Sequence, residues 1–214
     1  MVLLINWYVD PDPSRQDELK ECLIRNLENR YIDRIVAMTE PGVPLMSNLR
    51  IIRVPFTGRP TYTDFFNAGN KYEGVKIVAN SDIYFDGSVV YAGEIRPGQV
   101  YPLCRWDIDD KGHATFLGNK NSQDAWIWRD KVDITTDMTL GRWGCDNHIA
   151  GLLHQCGYAV LSPSLTIRAN HLHNSNVYHY RPQAIPLPKA NLRYYTIDEI
   201  ENLDIESSII NYHF

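Results

Sequence analysis

Several common features are scarce in this sequence, and each shortage narrows the reading. Its 214 residues include only four cysteines, Cys22, Cys104, Cys145 and Cys156, with no CxxC pair among them. Three lie in apolar surroundings, so buried free thiols in a reducing compartment are expected, with the cytoplasm as the location. No apolar run approaches the roughly 18 residues of a membrane span. The opening MVLLINWYVDPDP has no basic leader and runs at once into Asp and Pro, so a soluble protein without a secretory signal is expected. No five or six like charges stand together and the formal net charge is -5, which argues against a nucleic-acid partner and against a polybasic membrane anchor. Internal repeats and low-complexity tracts are also missing.

What remains is a chain with 44% hydrophobic residues, enough to bury a sizeable core. One domain over 1–214 is expected, and the ending SSIINYHF leaves open whether it is a whole protein or one domain of a longer chain. Val2 to Trp7 is an apolar run of strand length. After DPDP, Ser14 with Asp17 forms a helix-start signal of the capping-box kind, and Leu19, Cys22, Leu23 and Leu27 fall on one helical face. Strands are expected at 34–38 and 49–56, then a short helix capped by Thr61 or Thr63, then a strand from Val75. Alternation at this spacing predicts an α/β fold with a central, mostly parallel sheet flanked by helices. Beyond Asp86, turn signals and β-formers predict an antiparallel or irregular insertion, with DDKG as a hairpin turn. A helix opening at Asp146 and closing at Gly157 is predicted, with Ile149, Leu152, Leu153 and Cys156 buried. A strand YAVLSPSLTIRA follows, then a proline-rich tail from Arg181 and a short helix after Thr196.

The stretch VKIVANSDIYFDG ends a buried strand in polar residues. In open α/β sheets ligands bind beyond the carboxyl ends of parallel strands. Along an extended chain, residues two apart share a side at about 6–7 Å, whereas residues four apart are separated by about 13 Å. Asn80 and Asp82 can therefore face one site, while Asp82 and Asp86 cannot share an ion. Asp82 suits a hard divalent cation that also takes diphosphate oxygens and waters, and Asn80 suits a ligand hydrogen bond. Equally, Asp82 or Asp86 could cap a turn before Gly87.

Asn80-Ser81-Asp82 in this position resembles the DxD motif of GT-A-fold glycosyltransferases, with Asn in place of the first acidic residue. The blocks INWYVDPDPSRQDELKECLIRNLEN, ANSDIYFD, LCRWD, SQDAWIW and GCDNHIAGLLHQCGYAVLSPSLTIRANHLH extend the resemblance over nearly the whole chain. The sequence is also similar to glycosyltransferase domains of large DNA viruses of algae, which would make the location the host cytoplasm and the role capsid glycan synthesis. The resemblance implies Mn²⁺, or Mg²⁺, held by Asp82 with His171 or His173 of HLH; imidazole ligation favours Mn²⁺. It implies a UDP-sugar donor near Tyr8, Asp10, Arg59, Asn80, Ser81, Arg105 and Asp124, and a carbohydrate or glycoprotein acceptor. Residues 1–87 would form the nucleotide-binding half and 88–180 the acceptor half, with 181–214 as a tail.

Asp124 in SQDAWIW stands next to Trp126 and Trp128, a pairing suited to a sugar because a carboxylate accepts hydroxyl hydrogen bonds and indole covers C–H faces. It reads equally well as a cap before core aromatics. Asp146 reads as an N-cap, and by resemblance to inverting enzymes as the base for the acceptor hydroxyl; Asp146 and Asp124 are thus the catalytic candidates. Arg105 and Asp107 of CRWD are either a phosphate-side pair or a solvated ion pair, and Arg59 sits in a turn that suits phosphate or surface alike. Two other classes stay open. A sugar nucleotidyltransferase would want a Gly-rich basic loop where DPDP stands, and a non-catalytic carbohydrate-binding module would use Trp106, Trp126 and Trp128 as a platform.

Overall fold

The computed structural model describes residues 1–175, 184–203 and 209–213. The start of the proline-rich tail, 181–183, lies outside them. Strand β1 (Val2–Asn6) leads into helix α1 (Pro13–Glu28), strands β2 (Arg34–Thr39) and β3 (Ile51–Pro55), helix α2 (Tyr62–Gly69), strand β4 (Lys76–Ala79) and short strand β5 (Ile83–Phe85). The expected capping box at Ser14 does not form. Asp12 caps α1 instead, its carboxylate accepting from the Arg15 amide 3.0 Å away, and Pro13 takes the first helical turn, where its missing N–H costs nothing. In α2, Thr61 is the cap and completes a reciprocal box with Asp64.

A 3₁₀ helix spans Gly87–Glu94, followed by β6 (Gln99–Leu103), β7 (Arg105–Ile108), β8 (Ala114–Phe116), β9 (Ala125–Trp128), helix α3 (Cys145–Gln155), β10 (Ala159–Val160), β11 (Ala169–His171), β12 (Lys189–Leu192), helix α4 (Ile197–Glu201) and β13 (Ile209–His213). The central sheet runs β10-β6-β9-β4-β1-β2-β3. Its pairs are parallel except those that β9 makes with β4 and β6. A second sheet runs β5-β11-β7-β8, and β12 pairs with β13. The region after Asp86 is therefore more than an edge cover: β6 and β9 complete the central sheet, while the β7–β8 hairpin belongs to the second one. The expected single strand over 158–169 is divided. Pro163 cannot donate to a ladder, and the chain turns there, so β10 joins the central sheet and β11 the second.

Strand alternation splits the core into two layers. Leu3, Ile5 and Ile127 face α1 and its stripe Leu19, Leu23 and Leu27. Val2, Leu4, Trp126 and Trp128 face the other side, against Phe65 and Phe66 of α2 and Ile149 and Leu153 of α3. α3 opens at Gly144, in a left-handed conformation, so Asp146 lies within its first turn rather than at its cap. Cys156 follows the helix and is exposed, because the helix closes with Gly157 at φ 87° and the last turn rotates away from the core. Among the described residues, no helix is long and apolar enough to cross a membrane.

Candidate active site

The site is assembled by strand pairing. Because β1 and β4 are parallel neighbours, their carboxyl ends lie side by side, and the Ser81 hydroxyl donates across the gap to the Asn6 carbonyl. Asn80 and Ile83 close a turn, with the Ile83 amide donating to the Asn80 carbonyl at 3.1 Å, which sends the chain from the central sheet into β5. Antiparallel pairing of β5 with β11 sets His171 opposite Ile83, and the Leu172 amide donates to the Asp82 carbonyl at 3.0 Å. Parallel pairing of β11 with β7 sets Asp107 opposite His171. Asp82, His171 and Asp107 thus meet through the register of three strands.

Asp82 is buried, and its Oδ2 accepts from the Arg15 guanidinium and lies 3.2 Å from His171 Nε2. Arg15 reaches in from α1 and also binds Glu18 Oε2 at 2.8 Å and the Leu172 carbonyl at 3.0 Å. Burial alone would raise the Asp82 carboxyl, but His171 and Arg15 outweigh it and hold the group well below the usual carboxylate range. His171 Nδ1 is 2.8 Å from Asp107 Oδ1. Burial disfavours the charged imidazole, yet Asp82 and Asp107 beside it raise its pKa to about 9.

These residues fit a divalent cation. Donor atoms of Asp82, His171 and His173 lie within 4.8 Å of one another, and the buried Oδ1 of Asp82 has no hydrogen-bond partner among the described residues. A buried carboxylate oxygen left without a donor is costly unless something supplies positive charge. His171, with one ring nitrogen turned to Asp82 and the other held by a carboxylate, has the arrangement typical of metal-binding histidines. One carboxylate with two imidazoles suits Mn²⁺ better than Mg²⁺.

The same residues border a cavity of about 430 Å³. Tyr8, Arg59, Asn80, Ser81, Arg105, Asp124, Asp146, His171 and His173 all line it together with Asp82. Asp10 does not; it is buried in the loop before α1, where its Oδ1 accepts from the Asp12 amide at 3.0 Å. Asp86 caps the 3₁₀ helix through the Ser88 amide, so of the two acidic residues in VKIVANSDIYFDG only Asp82 reaches the cavity. Asn80 Nδ2 donates to Asp124 Oδ1 at 3.1 Å, and Arg105 links Asp107 Oδ1 at 2.8 Å with Asp124 Oδ1 at 3.4 Å. Burial raises the Asp124 carboxyl, against the pull of Arg105. Asp146 is raised further, to about 8, by burial and then by the charge of Asp124.

Trp126 and Trp128 are fully buried on the α2–α3 side of the sheet, and Trp106 Nε1 is taken by the Ser164 carbonyl at 3.0 Å. The platform that the alternative carbohydrate-binding module would build from Trp106, Trp126 and Trp128 loses two of its three rings, because the alternation of β9 turns Trp126 and Trp128 into the core. Sequence reading passed over Arg15, the closest cation to Asp82. Its signal was its place at the head of the buried stripe of α1, where a charged residue needs a partner. It also passed over Trp143 and Asn147, which line the cavity.

Neither a known protein family nor a curated protein matches the chain in sequence. Solved structures do resemble it. The mannosyltransferase PcManGT from Pyrobaculum calidifontis, in complex with GDP-Man and Mn²⁺, aligns with a TM-score of 0.54 and 11% identity over 83% of this chain. The alignment takes in 58% of the mannosyltransferase, so the chain spans somewhat over half of that enzyme's length. A 4-diphosphocytidyl-2C-methyl-D-erythritol synthase from Anaerococcus prevotii aligns over 83% of this chain and 91% of its own, with 11% identity and a TM-score of 0.46. At such identity the likeness is one of architecture: with its mixed sheet and flanking helices the chain has a GT-A-like α/β fold.

Proposed function

We propose that this protein is a metal-dependent glycosyltransferase that moves a hexose or deoxyhexose from a UDP-sugar to a carbohydrate acceptor. The observation that carries the reading is Asp82, a buried carboxylate at the end of a central parallel strand. Its Oδ1 lacks a donor among the described residues, and it shares a cavity with two histidines and the cations Arg15, Arg59 and Arg105. Asp82, His171 and His173 would hold Mn²⁺, or Mg²⁺. When bound there, such an ion acts as a Lewis acid that neutralises charge developing on the departing diphosphate.

The remaining roles fall to the protein's own side chains. Arg59 and Arg105 offer planar donor forks for phosphate oxygens. Tyr8, beyond the end of β1, provides a ring for the base, and Asn80 and Ser81 line the diphosphate path. Asp124, fixed by Asn80 and Arg105, accepts from hydroxyls of the donor sugar. Asp146 takes the proton of the acceptor hydroxyl as its oxygen bonds to the anomeric carbon and the bond from that carbon to the diphosphate breaks. Residues 1–87 then serve mainly the nucleotide and 88–180 the sugar and acceptor. Buried free thiols at Cys22, Cys104 and Cys145 support a cytoplasmic location. We further propose a capsid glycoprotein glycan as the acceptor, in the host cytoplasm, on the resemblance of the sequence blocks to glycosyltransferase domains of large DNA viruses of algae.

The loop after β1 gives no support to nucleotidyl transfer. Where a phosphate loop would be Gly-rich and basic, Asp10 and Asp12 are engaged in capping α1. The test is release of UDP from a set of UDP-sugars, with GDP-sugars alongside, in the presence of Mn²⁺. Turnover of a UDP-sugar that stops on chelation and in Asp82→Asn supports the reading. Turnover indifferent to both, or none with any donor, overturns it.

A further inference from the structure

The loop that precedes α3 presents an aromatic ring at the cavity that none of the roles above uses. Gly141 and Gly144 flank Arg142 and Trp143, both glycines with positive φ, at 70° and 73°. Neither tolerates a side chain: a Cβ on Gly141 would come within 2.8 Å of the Arg59 guanidinium, and one on Gly144 within 2.4 Å of Ile185 Cγ1. The two glycines seat the loop closely and leave Trp143 on the cavity wall, 43% exposed, whereas Trp7, Trp126 and Trp128 are buried.

One turn into α3, Asn147 lines the same cavity and is only 2% exposed. Its Nδ2 is oversupplied with acceptors: Asn191 Oδ1 at 2.9 Å, the Ala190 carbonyl at 3.0 Å and Asn121 Oδ1 at 3.2 Å. Its Oδ1 receives no hydrogen bond from any described residue. A buried amide oxygen in that state lacks a donor, and a ligand hydroxyl is the kind of group that supplies one.

We infer that Trp143 and Asn147 form the acceptor subsite and that it takes a pyranoside; the inference rests on the glycosyltransferase reading. The indole covers the apolar C–H face of the ring, while Asn147 Oδ1 accepts from a ring hydroxyl. The hydrogen-bond network of Asn147 consists of Asn121, Asn191 and a carbonyl, while Arg142, beside Trp143, lines the same cavity. A polyol hydroxyl matches the Asn147 network. Asp146 lies between Trp143 and Asn147 in the chain, so a ring held by both brings a hydroxyl toward the carboxylate assigned as base.

Saturation-transfer NMR on the full chain tests this with methyl β-D-glucopyranoside, methyl β-D-galactopyranoside, methyl α-D-mannopyranoside and methyl β-D-xylopyranoside as probes, in wild type, Trp143→Ala and Trp143→Phe. At least one probe is expected to bind wild type. Removing the indole should weaken it roughly tenfold, and Trp143→Phe should retain most of the affinity because a ring face remains. Calorimetric titration of UDP with Mn²⁺ into the same three proteins reads the donor side separately and should be insensitive to Trp143. No binding of any probe to wild type, equal probe binding in Trp143→Ala, or an equal loss of UDP binding in that variant overturns the subsite. If a probe binds through Trp143 but UDP does not bind at all, the saccharide subsite stands and the UDP-sugar reading fails.

Discussion

At the scale of single residues, the proposed chemistry rests on two carboxylates whose surroundings push them in opposite directions. Asp82, clamped by Arg15 and His171, stays ionised far into acid. Asp146 is raised to about 8 by burial and by Asp124, so it is neutral at pH 7 and gains its charge only in mildly basic solution. If Asp146 is the base, kcat/KM should climb with pH and level off above about 8, and Asp146→Asn should lower turnover roughly 100- to 10,000-fold. Stability should respond in a related way. A carboxyl whose folded pKa exceeds its unfolded one binds more protons when folded, so its contribution is greatest in acid and declines as pH rises from the ordinary value of 3.8 toward 8. Asp146→Asn should therefore melt at a higher temperature than wild type at pH 9, with the difference closing toward pH 4. A constant difference across that range would contradict the assigned shift. Asp82 was legible from its place at a strand end. The shift of Asp146 was not, because it depends on Asp124, 22 positions away in the chain and brought near only by the fold.

At the scale of elements, the short strand β5 holds Asp82 in place and is itself held by a side chain. β5 lies at the edge of the second sheet, with β11 along one side. Along the other, Asn26 of α1 donates to the Ile83 carbonyl at 2.8 Å and accepts from the Phe85 amide at 3.0 Å, as a neighbouring strand would. Asn26→Ala should cost roughly 2–4 kcal/mol in chemical denaturation, since two buried backbone groups lose their partner. It should also weaken nucleotide binding, because β5 follows directly on the Asp82 turn. A loss well under 1 kcal/mol would mean water replaces the amide freely. The periodicity of α1, β1 and β4 was plain in the sequence because a buried face dictates it. The split of 158–169 between two sheets was not: both pieces are apolar and strand-like, and only the turn at Pro163 separates them. Likewise, Trp126 and Trp128 looked suited to a sugar site until the alternation of β9 placed them in the core.

At the scale of the whole molecule, the parallel strands of the central sheet and the mixed second sheet contribute different parts of one cavity. The ends of β1 and β4 bring Tyr8 and the Asn80–Asp82 turn, the second sheet brings Arg105 and His171, and the start of α3 brings Asp146 and Asn147. The sequence's alternation of strands and helices made the first part foreseeable. The second depends on the register of β5, β7 and β11, which local pattern does not encode. The claim that unites the parts is that Asp82 anchors a metal and a nucleoside diphosphate together. Calorimetric titration of UDP into wild type and Asp82→Ala, each with and without Mn²⁺ and with GDP as the comparison, tests it most directly. The account predicts UDP binding that needs both Mn²⁺ and Asp82; UDP binding that survives chelation and the loss of that carboxylate, or no binding under any of these conditions, would contradict it.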